Sequence, residues 1–279
     1  MSRIFAEHWK DYELIDAGNS KKLERWGNIV TIRPERNAYF QPVQKEHFWK
    51  QKAHFEFVEV STNSGEWVEL KPAAKEWRIE FETLKLNLKL TRFKHLGIFP
   101  EQNYNWNFIS KHLKSNDRFL NLFGYTGAVS LAARAVGADV FHCDSVKQII
   151  TWGKENMEAS GLNDIHWVQE DALKFAEREV KRGNMYMGII MDPPAFGVGA
   201  NKERWKIEDK IIDLLKLAKN LKEDQGFIIL NTYSPRLPIE RIKELATAIF
   251  PANQVFVNKL CIKSTTGKII EYGEHTLIK

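Results

Sequence analysis

Four short segments carry residue types that can do chemistry. In the first, Asn121-Leu122-Phe123-Gly124-Tyr125-Thr126-Gly127-Ala128, two glycines let the backbone turn sharply and approach a ligand that a Cβ atom would hold off. A tight turn that serves packing alone reads the same way. The second is Asp144, which closes an apolar run about 20 residues later, the spacing at which a carboxylate accepts from both ribose hydroxyls of an adenosine cofactor. The third is Asp171-Ala172, where a carboxylate and the adjacent amide can read the amino edge of an adenine. Either carboxylate can instead serve as a helix N-cap, an alternative that weighs more for Asp171 than for Asp144. The fourth is Met191-Asp192-Pro193-Pro194-Ala195-Phe196, in which two prolines stiffen the turn that holds Asp192. There a carboxylate can accept from an amino or imino group, and Phe196 offers a flat face for stacking on a base. A rigid loop ending in a core phenylalanine is the alternative. A pyridine-nucleotide enzyme shares the glycine turn and the acidic strand end, but has no use for the fourth segment.

Positioning these groups takes a parallel sheet. Short apolar runs at 119–123, 138–144, 165–169, 187–192, 226–232 and 254–262 alternate with helical stretches at 128–136, 147–160, 173–182 and 206–221. That order is the pattern of βα units, and open α/β sheets bind ligands at the carboxyl ends of their strands. Residues 1–90 differ: Trp77, Ile79, Phe81 and then Leu84, Leu86, Leu88, Leu90 alternate with polar residues, which predicts antiparallel strands. Turn signals stand at Gly18-Asn19 and Asn63-Ser64-Gly65, and Pro72 marks a break. The expected organisation is therefore a small β-rich N-terminal domain, 1–90, followed by a Rossmann-like α/β domain, 91–279. There are no internal repeats.

Composition narrows the classes. With 43% hydrophobic and 28% charged residues in 279, the chain reads as an ordinary globular protein rather than a disordered or fibrous one. The net charge of +5, whose excess falls mostly after residue 90, favours a polyanionic partner such as RNA. The opening MSRIFAEHWKDYELID lacks an apolar leader and no stretch reaches the roughly 20 apolar residues of a membrane span, so a cytoplasmic location is expected. Cys143 and Cys261 lie far apart in apolar surroundings and read as reduced core thiols, with no metal-site spacing.

The order Gly124-Tyr125-Thr126-Gly127, Asp144-Ser145, Asp171-Ala172 and Asp192-Pro193-Pro194-Ala195-Phe196, preceded by Phe93-Lys94-His95-Leu96-Gly97-Ile98-Phe99-Pro100-Glu101-Gln102, resembles the bacterial large-subunit ribosomal RNA methyltransferase family. That family includes a cytosine-C5 enzyme and a guanine-N7 domain, and the likeness, over roughly 75–240, is to a branch without the amino-terminal RNA-binding domain. It implies S-adenosylmethionine as cofactor and ribosomal RNA as substrate. It also implies that Phe99 and Gln102 flank the methionine end and that Phe123, Gly124, Tyr125, Thr126 and Gly127 form the cofactor loop. Asp144 and Ser145 then hold the ribose, Asp171 and Ala172 the adenine, and Asp192 the rim where transfer occurs, with Pro193, Pro194 and Phe196 beside it. Tyr233, Ser234 and Arg236 border the acceptor by the same alignment. Arg204 and Trp205, after the Gly197-Val198-Gly199 hinge, form either a mobile cover or, for Trp205, a packed helix residue. Lys89, Arg92 and Lys94 form a basic strand face for phosphates or a merely solvated one, and Lys94 and His95 read as a solvated strand end.

Methylating C5 of cytosine requires a thiolate that adds to C6. Where the cytosine enzymes of the family carry it, this chain reads Asn231-Thr232-Tyr233-Ser234-Pro235-Arg236, without cysteine. A ring nitrogen, already nucleophilic, is the expected acceptor atom, and aligning it with the methyl carbon and sulfur calls for no metal. The competing readings are a small-molecule or protein methyltransferase, and a non-catalytic RNA-binding module of the same fold.

Overall fold

The computed structural model describes residues 2–7, 9–61, 64–198 and 204–279. The chain divides into two compact units: 5–104 with 261–272, and 1–4 with 105–260 and 273–279.

After the short β1 (Arg3–Phe5), the β-rich unit is built from β2 (Tyr12–Gly18), β3 (Lys21–Trp26), β4 (Ile29–Pro34), α1 (Glu46–Lys52), β5 (Phe55–Ser61) and β6 (Ser64–Glu69), which form one sheet in the order β2-β3-β4-β5-β6. Leu23, Ile32, Trp49 and Ala53 pack at its core. The turn at Gly18-Asn19 joins β2 to β3 as expected, with Asn19 and Ser20 at φ 51° and 58°. Asn63, from the second expected turn, lies outside the described residues. The alternating segment forms a hairpin of β7 (Glu76–Phe81) and β8 (Leu84–Lys89) that buries Ile79, Phe81, Leu84, Leu86 and Leu88.

The boundary between units falls after Tyr104 rather than at 90, because hydrogen bonds tie 91–104 to the β-rich unit. The Trp67 indole donates to the Thr91 carbonyl at 2.8 Å, and Arg33 donates to the Lys94 carbonyl at 2.9 Å. Residues 261–272 return to this unit through Thr265 N–H, which donates to the Leu14 carbonyl at 2.9 Å. The expected basic strand face does not form: β8 ends at Lys89, Arg92 lies exposed beyond it, and Lys94 is half-buried, its ammonium pushed down by desolvation. His95 is likewise no solvated strand end. It is half-buried with its ring 5.1 Å from that of Phe99, and desolvation pushes its pKa down to about 3. Phe99 and the short 3-10 turn Pro100–Gln102 also belong to this unit.

The α/β unit comprises α2 (Asn103–His112), β9 (Arg118–Leu122), α3 (Ala128–Ala135), β10 (Asp139–Asp144), α4 (Lys147–Ala159), β11 (Ile165–Gln169), α5 (Ala172–Lys181) and β12 (Tyr186–Met191). It continues with β13 (Phe196–Val198), β14 (Arg204–Lys206), α6 (Ile207–Leu221), β15 (Lys222–Thr232), α7 (Ile239–Ile249), and the parts of β16 (Val255–Lys263) and β17 (Ile269–Ile278) outside 261–272. The sheet order is β1-β16-β17-β15-β12-β9-β10-β11, with β9, β10, β11, β12 and β15 parallel and β17 antiparallel to β15. Five of the strands expected from apolar runs pair in parallel, and β9, β12 and the second half of β15 are buried almost throughout, so their apolar residues run on without alternating. Leu120, Leu122, Ile189, Leu214, Ile228 and Phe250 are among the residues of the core. The chain moves outward from β9 to β10 and β11, then returns to place β12 on the other side of β9. This reversal makes the carboxyl ends of β9 and β12 the switch point where such sheets bind ligands.

Candidate active site

The carboxyl end of β9 opens into a strained loop. Phe123 and Tyr125 adopt φ of 60° and 51°, and Gly127 sits at 87° before α3 begins. Non-glycine residues at positive φ are costly, and they persist where surrounding structure holds them. Three contacts do so here, and a fourth fixes the carboxylate that makes the first of them. One carboxylate oxygen of Asp144 accepts from Tyr125 N–H at 3.0 Å and the other from Val146 N–H at 2.9 Å. Gly124 N–H donates to the Cys143 carbonyl at 3.0 Å, and Asn156 of α4 donates to the Thr126 carbonyl at 3.0 Å.

The floor of the loop is aromatic. A Cβ on Gly124 would stand 2.4 Å from the His142 ring, and one on Gly153, inside α4, 2.7 Å from Trp167. His142 is fully buried; Asn121 donates to Ser130 Oγ, which meets His142 Nδ1, both at 2.9 Å. Burial pushes the imidazole pKa down to about 3, so the ring is neutral at physiological pH. His142, Trp167, Gly153 and Asn156 were not singled out from the sequence. The one available signal was Gly153, a helix-interior glycine that costs about 1 kcal/mol relative to alanine and so suggests close packing.

Asp144 combines electrostatics with geometry. Burial, the largest influence, raises its carboxyl above the ordinary value, against the lowering effect of the Val146, Tyr125 and Ser145 amides. A carboxylate held this way has further lone pairs on both oxygens for a diol, and the adjacent Ser145 is exposed. Asp171 follows β11 and caps α5, one of its oxygens accepting from Lys174 N–H at 3.0 Å. The N-cap reading is thus realised, and Ala172 opens the helix where amides have no partner within it.

On the other side of the switch point, Asp192 N–H donates to the Leu122 carbonyl at 3.3 Å, which sets the second carboxylate beside the end of β9. Pro193 is buried and Pro194 exposed. Beyond them β13 and β14 form a hairpin in which Phe196 pairs with Lys206 and Gly197 with Trp205. The Phe196 ring is 58% exposed, which removes the core-phenylalanine alternative.

Trp205 is neither a helix residue nor free to cover a base. It lies on β14, its indole donates to the Pro194 carbonyl at 2.6 Å, and its ring meets Phe123 edge-on at 4.9 Å. It therefore bridges the loop after β9 and the loop after β12. Gly199 of the expected hinge and the Arg204 side chain lie outside the described residues. Ser234, nearly buried, donates to Glu208 of α6 at 2.6 Å and accepts from Arg236 N–H at 3.3 Å, tying the loop after β15 to α6. The Arg236 side chain is exposed, and Tyr233 packs where a Cβ on Gly273 would come within 2.8 Å of its ring.

Both thiols are fully buried. Cys143 Sγ donates to the Glu170 carbonyl at 3.4 Å, and burial pushes the thiol pKa up. Among the described residues no group of three or more His, Cys, Asp or Glu could hold a metal ion.

A glycine loop held open at positive φ, a ribose-type carboxylate at the next strand end and a sheet reversal beside the loop, between β9 and β12, fit an adenosine cofactor. Comparison with known proteins agrees. A family model described as S-adenosylmethionine-dependent methyltransferase matches residues 45–221. A SAM-dependent methyltransferase from Agrobacterium tumefaciens superposes with a TM-score of 0.93 at 31% identity, over 99% of this chain and 93% of that one. The protein SMU.776 in complex with SAH superposes at 0.79 and 19% identity, over 96% of this chain and 75% of that one, a likeness of fold. Ribosomal RNA large subunit methyltransferase K/L of Pseudoalteromonas atlantica is 29% identical over 170 residues, which are 59% of this chain and 24% of that protein. The chain spans less than half the length of the curated relatives it matches first. With a family model across more than half of its length and a solved relative across nearly all of it, the chain belongs to the S-adenosylmethionine-dependent methyltransferase family.

Proposed function

We propose that this enzyme methylates a base of RNA, with ribosomal RNA the favoured substrate, at a ring nitrogen rather than at cytosine C5, and that it does so in the cytoplasm. The observation that carries the reading is the pairing of Asp192 with an exposed flat ring, Phe196, on a loop stiffened by two prolines and by the Trp205 indole. A base is flat and edged with donors, and such a site can stack its face while accepting from its edge. The K/L relatives support ribosomal RNA. A ring nitrogen is supported by the two thiols, which are buried, and by the cysteine-free segment 231–236 after β15. Among the described residues no helix is long and apolar enough to cross a membrane.

The bound cofactor supplies an electrophilic methyl group on a sulfonium. The chain's residues do the rest by placement. Asp144 takes the ribose diol, and the loop 123–127 packs close over the His142 and Trp167 rings because Gly124 and Gly127 carry no side chain toward them, which leaves its other face to the cofactor. Asp171 and Ala172 lie where the adenine edge is read. Asp192 orients the acceptor edge so that its lone pair points at the methyl carbon, a contribution of alignment rather than bond-making.

The test is methyl incorporation from labelled cofactor into RNA lacking the modification, with cofactor affinity measured in parallel. Asp192→Ala is expected to cut turnover by about 10²-fold or more while affinity for the cofactor changes much less. Phe196→Ala is expected to weaken RNA binding by roughly 1–3 kcal/mol. Equal turnover of wild type and Asp192→Ala refutes the role of Asp192. A wild type that binds cofactor but labels no RNA points to a small-molecule or protein acceptor.

A further inference from the structure

Away from the loop after β9, the β-rich unit displays a largely exposed aromatic ring, Tyr39, which meets the Phe40 ring edge-on at 6.0 Å. Tyr39 is 84% exposed, at the head of a loop that is otherwise tightly fixed. Asn19 N–H donates to the Phe40 carbonyl at 2.8 Å and Ser20 N–H to the Ala38 carbonyl at 2.7 Å. Gly18 lies so close beneath that a Cβ would meet Pro42 at 2.2 Å. The anchor is Asp16, a fully buried carboxylate. It accepts from Gln44 N–H at 2.7 Å, Val43 N–H at 3.3 Å and the Trp49 indole at 3.2 Å.

The same carboxylate accepts from the Thr266 hydroxyl at 2.7 Å, and Asn37 donates to the Glu271 carbonyl at 2.8 Å. Two segments far apart in sequence, 36–45 and 263–268, are thereby held side by side, and the Lys268 ammonium lies 5.4 Å from the centre of the Phe40 ring. Neither segment contains an Asp or a Glu; they carry Arg36, Lys45, Lys263 and Lys268. The carboxylates that flank the first segment face other cations: Glu35 is 3.2 Å from Lys22 and Glu46 is 3.1 Å from Lys50.

We propose that this surface docks single-stranded RNA, a base stacking on Tyr39 while Arg36, Lys45, Lys263 and Lys268 neutralise phosphates; it rests on the RNA reading above for the identity of the polyanion. Single-strand sites combine cations with stacking rings because every base has a π-face and every nucleotide a phosphate. A protein partner fits less well, since the cores of protein interfaces are depleted of lysine. The fixed backbone presents the ring without an ordering cost on binding.

The experiment uses the full chain and a fluorescein-labelled twelve-nucleotide oligouridylate, followed by anisotropy across a salt series. Tyr39→Ala is expected to weaken binding about tenfold and Tyr39→Trp to restore it. Lys263→Gln with Lys268→Gln is expected to flatten the slope of log affinity against log salt by about 1.4, at about 0.7 per phosphate contact on a single strand. An oligonucleotide carrying 4-thiouridine is expected to crosslink to the peptide that contains Tyr39 and Phe40. Binding by Tyr39→Ala equal to wild type, with an unchanged salt slope in the lysine variant, overturns the proposal, as does a Tyr39-dependent dimer in sedimentation with oligouridylate binding indifferent to Tyr39. Methyl incorporation into RNA separates the two readings. Incorporation by wild type with Tyr39-independent binding leaves the RNA substrate standing and removes this surface. Tyr39-dependent binding without incorporation keeps the surface and removes RNA as the methyl acceptor.

Discussion

Replacing Asp144 by Asn removes the charge and little volume, and the structure predicts weaker cofactor binding together with a changed pH dependence of stability. The carboxylate takes one backbone amide on each oxygen, Tyr125 N–H at 3.0 Å and Val146 N–H at 2.9 Å. An amide side chain keeps one acceptor and turns an NH2 group toward the other N–H, so one hydrogen bond to a charged group, about 1.5–3 kcal/mol, is lost from the loop. The ribose hydroxyls also lose an ionised acceptor, at a similar cost. Only the second falls on binding, because the first is lost with and without cofactor; about 1.5–3 kcal/mol is on the order of ten- to a hundredfold in Kd. Stability follows a different rule. Burial raises the folded-state pKa of Asp144 above its unfolded value. Its contribution to stability is therefore fully present below the unfolded pKa and is lost as pH rises through the raised folded value. Asn carries no such dependence. The melting temperature of the ligand-free variant should rise relative to wild type as pH goes from about 4 to 7, a window that begins near the ordinary carboxylate value. Titration calorimetry with S-adenosylhomocysteine, beside thermal melts of the ligand-free proteins, measures both. An affinity within threefold of wild type, or a melting difference that moves the other way with pH, refutes the reasoning.

Gly124→Ala drives a Cβ to within 2.4 Å of the His142 ring, which is fully buried, so it should cost about 1–3 kcal/mol and abolish measurable cofactor binding. Gly161→Ala, with nothing within 4 Å but φ +67°, should cost only about 1 kcal/mol and leave binding intact; equal binding defects in both would remove the argument from His142. Cys143→Ala and Cys261→Ser should keep methyl transfer within a few-fold of wild type once stability is matched. Loss of turnover in either, with folding and cofactor binding preserved, would restore a covalent C5 mechanism. Trp205→Phe keeps a ring against Phe123 and loses the hydrogen bond to Pro194, so kcat should fall about tenfold with cofactor affinity unchanged. Trp205→Ala should lower both; a Phe variant that matches wild type would show that the indole N–H holds nothing.

The sequence by itself determined the parallel sheet and which residues stand at its carboxyl ends. Buried parallel strands read as continuous apolar runs and their helices as amphipathic stretches, so β9 to β12, β15 and the helices between them were legible as local patterns. The places of the Gly124 loop, Asp144, Asp171 and Asp192 at strand ends were legible because in βα units that position is fixed by local order. β17 was not: it runs Ile-Ile-Glu-Tyr-Gly-Glu-His-Thr-Leu-Ile, with Glu274, His275 and Thr276 all buried. Two of these meet partners far off in sequence: His275 Nε2 lies 2.8 Å from Asn105 Oδ1, and Lys259 reaches Glu274. The rest of what tertiary structure decided has the same origin. His142 and Trp167 become the floor of the cofactor loop through packing across strands and helices. Trp205 joins two loops because a hairpin folds back on the strand end it came from. Asp16 holds 36–45 against 263–268 across more than two hundred residues. Pattern along a chain reports which way each residue faces within its own element; which residue it meets there depends on contacts that no local spacing encodes.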